Sequence, residues 1–498
     1  MDSKEEYAAQ QGQYQQSSED KPQNTSVPMS GLRGHQNPGS AQSKQSNEPF
    51  GRTSTRISGI GAPITPDSAA PDPVLEPKAL RLQVIGEQPN LQDALEHRRQ
   101  WHTGIAALLI FWLFWAGLMQ LLYNLGLEIS WWLRIHSFTI AVIATAIMAY
   151  SAHFAEALSR KSAGSHRGLA IRILLLNFGF VLLVCGRTGD QFTTLSLAGS
   201  LVIAASFSAH GYDLYQARRH QFATKNIRSV SYYITAVVLL VFAICASVSA
   251  TYTIDGYTAW IAIHSRTMIW GFVWCTIIGT LITFYPTIAK AKISPTALAR
   301  IPRALTIHVF GLALYGAGQL VASSVLGGLG LSLVAIASVL ILYPALRETN
   351  SKGAAGSTQI QFAIAWMVIA LLADAFMHFH GQDPRMTFLW LLPVLLGCGI
   401  VPLILAVLGF TIPALRGGGP EIINQARSRA ATAWRLRMVL TLIGGILVLF
   451  QPLVPIDWLS WYPRMAVAIV GASIAIGVVA FIASIFVGAA TKTDSITA

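Results

Sequence analysis

The sequence predicts an all-α polytopic membrane protein of about twelve transmembrane helices, preceded by a disordered N-terminal tail. Of the 498 residues, 53% are hydrophobic and only 12% are charged, which is about half the charged fraction of a soluble domain. Successive apolar runs are each long enough to cross a hydrocarbon core of about 30 Å. Lys and Arg are concentrated in alternate loops between those runs, as in a multi-pass membrane protein.

The predicted domain organisation follows the change in composition along the chain. Residues 1–80 are rich in Gln, Ser, Pro, Gly and Asn and nearly lack aromatic side chains, so they cannot bury enough apolar surface to offset the entropy of ordering. We predict a disordered cytoplasmic tail here and a juxtamembrane segment over residues 81–100. Residues 101–490 are the predicted twelve-helix membrane domain, and residues 491–498 a short cytoplasmic C-terminus. No cleaved signal peptide is predicted.

The positions of the basic residues predict the topology. The apolar runs cover residues 103–125, 131–157, 169–186, 191–213, 229–251, 261–285, 303–322, 325–345, 360–379, 387–411, 435–453 and 465–488. One set of alternate loops is basic, whereas the opposite set holds only Arg134, Arg187, Arg385 and Arg464. By the positive-inside rule the basic loops face the cytoplasm, which predicts a plasma-membrane protein with both termini inside the cell.

A five-residue phrase recurs at the start of two predicted spans. Residues 136–140 (HSFTI) and 264–268 (HSRTM) share the pattern H-S-x-T-(I/M), four spans apart. Each phrase opens a long apolar run, so the two imidazoles lie at the same depth of their spans. We therefore predict a duplicated helix unit and, over the whole domain, three pseudo-repeated four-helix units aimed at one internal site.

Four histidines lie at the predicted outer face: His136, His264, His378 and His380. Neutral imidazole is the commonest protein ligand for metals and also binds haem iron. Asp374 lies one turn before His378 and could orient an imidazole by accepting its N–H, while Arg266 could pair with a haem propionate or with Asp374. We predict that these histidines bind haem or copper, with His136, His264 and His380 as metal ligands. The alternative is interfacial histidines hydrogen-bonded near the headgroups.

A second layer of ionisable residues lies near the predicted cytoplasmic face. His153 with Glu156, and His210 with Asp213, are spaced i,i+3, so each pair shares one helical face. Ionisable groups within spans usually face the bundle interior and mark a site or pathway. These residues predict an inner proton or cation site. The alternative is that all four reach water by snorkelling.

Three segments resemble a known family. Residues 136–160 (HSFTIAVIATAIMAYSAHFAEALSR), 264–287 (HSRTMIWGFVWCTIIGTLITFYPT) and 408–420 (LGFTIPALRGGGP) are similar to an actinobacterial family of twelve-span membrane proteins labelled copper oxidase. Some relatives carry a multicopper oxidase or nitrite reductase domain. More distantly, the architecture resembles NnrS-like proteins and haem–copper oxidase subunit I. The resemblance spans roughly residues 100–490.

The resemblance implies three arcs of four helices, with histidines near the outer ends of helices 2, 6, 7 and 10 and a bound haem or copper. The chain departs from that pattern at two places. Residues 318–323, at the outer end of the seventh span, contain no histidine, and Arg266 stands where the family phrase often has a second histidine. A full oxygen-reducing binuclear centre is therefore not expected.

Two function classes remain open on sequence alone. The first is a haem- or copper-binding membrane protein in a redox or metal-linked role; if it is an enzyme, it is oxidoreductase-linked and would need a redox partner protein. The second is a secondary transporter or permease for a small substrate or ion. Transporters commonly show inverted repeats with broken helices at the midplane, whereas the repeat here is parallel, which favours the first class. For both function classes the lipid bilayer is a predicted partner, and no binding of nucleic acid is predicted.

Overall fold

A computed structural model of the protein describes residues 91–160, 166–187, 193–253, 256–348, 355–416, 419–453 and 461–487. Within these ranges there is no β-strand, and twelve helices are long and apolar enough to cross a membrane. The predicted all-α, twelve-span fold class is confirmed, and the chain is an integral, multi-pass membrane protein. The predicted tail over residues 1–80 and the C-terminus over residues 491–498 lie outside the described ranges.

We label the spans α1 to α12 in chain order. They are α1, Gln100–Asn124; α2, Trp131–Ser159; α3, Arg167–Arg187; α4, Thr194–Arg218; α5, Lys225–Tyr252; α6, Tyr257–Ile288; α7, Pro295–Leu320; α8, Ser324–Arg347; α9, Ala355–Phe379; α10, Pro384–Leu415; α11, Gly419–Leu453; and α12, Tyr462–Ile485. The first helix begins before its span, at Leu91, within the predicted juxtamembrane segment. The predicted orientation in the plasma membrane stays a prediction.

The span α6 lies at the centre of the bundle. In the most apolar 18-residue stretch of α6, 78% of the residues are buried, compared with 11% in the corresponding stretch of α1. Trp270 and Trp274 of α6 are fully buried, and the indole N–H of Trp274 donates to the Ser338 hydroxyl of α8 at 2.8 Å. A polar indole nitrogen in an apolar interior needs such a partner, since leaving it unpaired is costly.

The helix pairing repeats three times along the chain. Extensive helix–helix contacts join α3 with α4, α7 with α8, and α11 with α12, the third and fourth spans of each predicted unit. A glycine permits the close approach in each pair, as small residues do between membrane helices. A Cβ at Gly199 would lie 2.6 Å from the Gly179 oxygen, one at Gly330 would lie 2.5 Å from the Gly311 oxygen, and one at Gly444 would lie 3.0 Å from the Val470 nitrogen.

A π-helical segment interrupts one span of each unit. The segments are Ser137–Ala144 in α2, Thr267–Val273 in α6 and Pro393–Ile400 in α10. Each occupies the second span of its four-helix unit, in the half nearest the face where that span begins. π-Helical turns are rare and frequently lie at functional sites. Their recurrence extends the duplication seen in the sequence to a third unit.

Candidate functional site

The structure brings His136 and His264 together. Their ring centres lie 6.4 Å apart, with an angle of 23° between the ring planes. His136 immediately precedes the π-helical segment of α2, and His264 lies three residues before that of α6. The term histidine face denotes here the membrane face at which α2, α6 and α10 begin. The repeated phrase thus places two imidazoles side by side at this face.

Main-chain carbonyls fix the tautomer of both rings. His136 Nδ1 lies 2.9 Å from the Trp132 oxygen, one turn earlier on α2, and His264 Nδ1 lies 2.8 Å from the Ala243 oxygen on α5. Because a carbonyl can only accept, both Nδ1 atoms carry the proton in the neutral rings. Both Nε2 atoms are therefore left with a free lone pair. Metal-ligating histidines use the same arrangement, in which the other ring nitrogen donates to a carbonyl or carboxylate.

Aromatic and basic side chains surround the pair. The Trp132 ring stacks on His136 at 4.5 Å, with 16° between the planes, and the Arg187 guanidinium lies 5.7 Å from the Trp132 ring centre. The Arg134 guanidinium covers the Tyr123 ring at 3.5 Å. In the part of the chain that the structure describes, neither arginine forms an ion pair. The rim of the histidine face therefore carries positive charge that no carboxylate neutralises there.

A buried ion pair lies next to His264 along α6. Arg266 donates to both carboxylate oxygens of Asp374 on α9, at 2.9 and 3.2 Å, and the indole N–H of Trp270 donates to the same carboxylate at 3.0 Å. The Arg266 and Asp374 side chains are 0% and 1% exposed. Of the two alternatives left open for Arg266, the structure shows the pairing with Asp374. Two-point arginine–carboxylate contacts are among the stronger and more directional polar contacts.

His378 and His380 lie apart from each other at the end of α9. His378 is buried; its Nδ1 lies 2.8 Å from the Asp374 main-chain oxygen and 3.4 Å from the Asp374 carboxylate. Its ring meets the Tyr315 ring edge-on at 5.3 Å. His380 is exposed, and its Nδ1 donates to the Phe376 oxygen at 2.9 Å. His378 thus hydrogen-bonds to the Asp374 main chain, with the Asp374 carboxylate further away, and the predicted role of that carboxylate in orienting a ligand imidazole stays a prediction.

The three predicted metal ligands do not form one coordination group in the structure. Across the described ranges, no three His, Cys, Asp or Glu side chains are placed so as to hold a metal ion. His136 and His264 supply two imidazoles, while His380 bonds to its own helix in an exposed position. Haem or copper binding through the outer histidines stays a prediction, and the pair His136–His264 is the part of it that the geometry assembles.

The third unit lacks the histidine of the other two. The three residues before the π-helical segment of α10, residues 390–392, are Trp-Leu-Leu, and no histidine occurs within α10. His378 and His380 lie at the end of the preceding span, α9. We expected the third equivalent of the repeated phrase near residues 378–380, whereas the π-helical segment makes α10 the span that corresponds to α2 and α6.

The predicted inner residues make separate contacts. The buried His210 shares a hydrogen bond of 2.8 Å with the Ser151 hydroxyl, and Asp213 forms an ion pair with Arg172 of α3. His153 meets the His102 ring edge-on at 5.1 Å, and Glu156 is half-buried one turn further along α2. These contacts join α2 to α4, α3 to α4 and α1 to α2. Among the described residues, His153, Glu156, His210 and Asp213 are not grouped so as to hold a metal ion, and the inner proton or cation site stays a prediction.

Two side chains of the site, Trp270 and Tyr315, were not predicted from the sequence. Trp270 lies four residues after Arg266, hence on the same helical face, and this spacing could have marked it as a further donor to Asp374. Tyr315 of α7 carries no such signal. The histidine face thus offers a pair of imidazoles with Nδ1 protonated, beside a charge-balanced ion pair.

The chain matches no family model and no curated protein.

Proposed function

We propose that this integral membrane protein binds a redox-active metal, as haem iron or copper, between His136 and His264. One observation carries the proposal. The two rings lie 6.4 Å apart, nearly parallel, and each directs its Nδ1–H at a main-chain carbonyl. Two side chains from distant parts of the chain share one tautomer and one location, and both Nε2 atoms would be available to hold a metal.

The spacing of the two rings fits a metal bound by both. A metal ion lies about 2.0–2.1 Å from each imidazole nitrogen that binds it, and ring centres 6.4 Å apart are close enough for one ion to be held by both rings. Imidazole suits Fe and Cu, and the carbonyl partners raise the basicity of the ring nitrogens. When bound, such a metal supplies one-electron chemistry. The chain's own part is to hold both imidazoles in a fixed tautomer and orientation.

The charges around the pair also fit. A free guanidinium at position 266 would repel a metal cation two residues from His264, but Asp374 neutralises Arg266 at 2.9 Å. At the rim, Arg134 and Arg187 have no ion-pair partner within the described ranges. They would suit the carboxylates of haem propionates, because guanidinium groups bind carboxylates with two donors. The ligand set supports one two-imidazole centre in a redox or metal-linked role.

The test compares the full-length protein with single-histidine variants. The protein is purified in mild detergent, incubated with haemin or with Cu(I), and separated from the excess. The Soret absorbance and the copper content per chain are then measured. We expect His136→Gln and His264→Gln each to lose the bound group, because each removes one of two ligands. His220→Gln, in a half-buried histidine of the opposite face that contacts the Ser159 oxygen, is the matched control and should keep it.

Two outcomes decide against the proposal. One is wild-type protein that retains neither haem nor copper after separation. The other is a His136→Gln or His264→Gln variant that folds and retains as much as the wild type. His380→Gln distinguishes the two ligand sets: loss of binding in this variant would restore the three-histidine set predicted from sequence, and retention supports the pair.

A further inference from the structure

Arg437 is a buried arginine with no carboxylate partner among the described residues. It lies in the first turn of the helix Trp434–Phe450 within α11, at the face opposite the histidine face, and is 6% exposed. The ion pairs of the described ranges involve Arg172, Arg266 and His378, and none involves Arg437. Within the described residues, its guanidinium donates one hydrogen bond, to the Ala430 oxygen at 3.4 Å, which is long. An uncompensated buried charge is costly, so this guanidinium calls for an anionic group.

A small cavity lies beside the guanidinium. Its walls come from α9, α10, α11 and α12, and its polar lining residues are Gln359, Arg437, Thr441 and Ser473. The cavity volume is about 20 Å³, which is room for one water-sized group. Gln359 is 7% exposed, and its amide NH₂ has no hydrogen-bond partner among the described residues. Two buried donor groups, one of them charged, therefore line the same space.

Residues of α11 and α12 position Arg437. Ser473 donates to the Arg437 main-chain oxygen at 2.8 Å and shares a second bond of 2.8 Å with Thr441. Gly477 of α12 makes room for the side chain, because a Cβ there would lie 2.8 Å from Arg437 Nη2. The helix that begins at Trp434 has no side-chain cap at Ala433. The positive end of the helix dipole thus adds to the charge of Arg437.

We propose that this cavity binds an oxygen of a phosphoryl group, from the headgroup of an anionic phospholipid or from inorganic phosphate. Its volume admits one oxygen, with the rest of the group at the cavity mouth. Arginine binds phosphoryl oxygens with two parallel donors, and basic pockets between spans are known binding sites for anionic headgroups. The exposed Arg435 contacts the Trp434 ring at 5.3 Å and is not among the residues that line the cavity. The site shares no residue with His136–His264 and stands independently of the proposed function.

The experiment measures thermal unfolding of the delipidated full-length protein in detergent. One arm adds sodium phosphate, with sodium chloride of equal ionic strength as its control. The other arm adds phosphatidylglycerol in mixed micelles, with phosphatidylcholine as its control. We expect phosphate, phosphatidylglycerol or both to raise the unfolding midpoint of the wild type. Stabilisation by phosphate alone assigns the free anion, and stabilisation by the lipid alone assigns the headgroup.

Variants tie the effect to the cavity. Arg437→Gln should weaken the apparent affinity for the stabilising probe roughly tenfold or more, the loss expected for a hydrogen bond to a charged group. Arg435→Gln, which removes an equal charge from the exposed neighbour, should leave it unchanged. If Arg437→Gln does not fold, Gly477→Ala displaces the guanidinium and keeps its charge, and Gln359→Leu removes the amide donor. The proposal is overturned if neither probe stabilises the wild type, or if the folded variants among these three respond as the wild type does.

Discussion

Arg266 of α6 and Asp374 of α9, 108 residues apart in the chain, form a buried two-point ion pair at the histidine face. Trp270 adds a third donor to the same carboxylate. The pair links the central span of the bundle to the first span of the third unit. A buried ion pair often contributes no more to stability than an apolar contact of the same shape. Removing one partner, however, leaves the other charge buried and unpaired, which is strongly destabilising.

We therefore expect Asp374→Asn to destabilise the protein strongly, by about 3–5 kcal/mol, because it strands the Arg266 guanidinium. The double variant Arg266→Met/Asp374→Leu removes both charges and should lose much less. The thermal unfolding midpoint in detergent measures both. Asp213→Asn is the control, since its carboxylate is half exposed in its pair with Arg172 and exposed pairs contribute about 0–1 kcal/mol. Equal losses for Asp374→Asn and Asp213→Asn would contradict the prediction.

Gly330→Ala should separate α7 from α8. A Cβ at position 330 would lie 2.5 Å from both the Gly311 oxygen and the Tyr315 nitrogen, and main-chain atoms cannot move aside as a side-chain end can. Overpacking of this kind costs roughly 1–3 kcal/mol, which should appear as a lower unfolding midpoint. Gly117→Ala on α1, where nothing lies within 4 Å of the added Cβ, is the matched control. A midpoint for Gly330→Ala at or above that of Gly117→Ala would show that the helices do not approach as closely.

Ser338→Ala should destabilise the centre of the bundle. The Ser338 hydroxyl accepts from the indole N–H of Trp274 at 2.8 Å, and both side chains are fully buried. Without it the indole N–H is left unsatisfied, which costs about 1–3 kcal/mol. Ser332→Ala, one and a half turns earlier on α8, removes only a bond to its own helix at the Gly328 oxygen and should be nearly neutral. The difference between the two unfolding midpoints tests the contact.

Glu348 at the end of α8 should add a pH-dependent term to stability. The hydroxyl of Ser294, which caps α7, donates to the Glu348 carboxylate, and this bond lowers the pKa of Glu348 below its ordinary value of 4.5. A lowered pKa stabilises the folded state above the ordinary value, and that stabilisation is lost as the pH falls through the folded-state value. Glu348→Gln should thus lower the unfolding midpoint near about pH 7 but little near about pH 3.

Ser294→Ala serves as the comparison for Glu348→Gln. The Ser294 side chain also accepts from the Ala297 main-chain N–H at 3.0 Å, so its removal should cost about 0.5–2 kcal/mol of cap stability near about pH 3. Near about pH 7 the cost should be larger, because the hydrogen bond to the ionised Glu348 carboxylate is lost as well. A loss in Glu348→Gln that is equally large at both pH values would mean that the carboxylate acts without titrating.

The sequence was sufficient for the span count and for the relation between the first two units. Hydropathy fixes the spans, and the phrase shared by residues 136–140 and 264–268 predicts that His136 and His264 occupy equivalent positions. The sequence placed the third equivalent of the phrase near residues 378–380 on α9, whereas the π-helical segment Pro393–Ile400 makes α10 the corresponding span. Because no histidine occurs within α10, the phrase itself could not reveal this correspondence.

Arg437 shows a different limit of sequence reasoning. It follows Arg429 and Arg435 at the start of an apolar run, so the positive-inside rule accounts for it as one more basic residue of a loop. Only the packing of α12 shows that its side chain turns inward, where Gly477 leaves space for it. A charge that sets topology and a charge that binds a ligand look alike in sequence, because burial depends on the neighbouring helices.

The π-helical turn after His136 makes the histidine pair depend on the length of α2 as well as on its side chains. A π-helical turn accommodates one more residue than an α-helical turn of about the same rotation, because its hydrogen bonds run from residue i to residue i+5. The segment Ser137–Ala144 therefore absorbs an extra residue and keeps the two halves of α2 in their mutual orientation. If the same residues formed a regular α-helix, His136 would turn by roughly 100° relative to the packed remainder of α2, away from His264. The hydrogen-bonding pattern of one helical turn thus decides whether the two imidazoles meet.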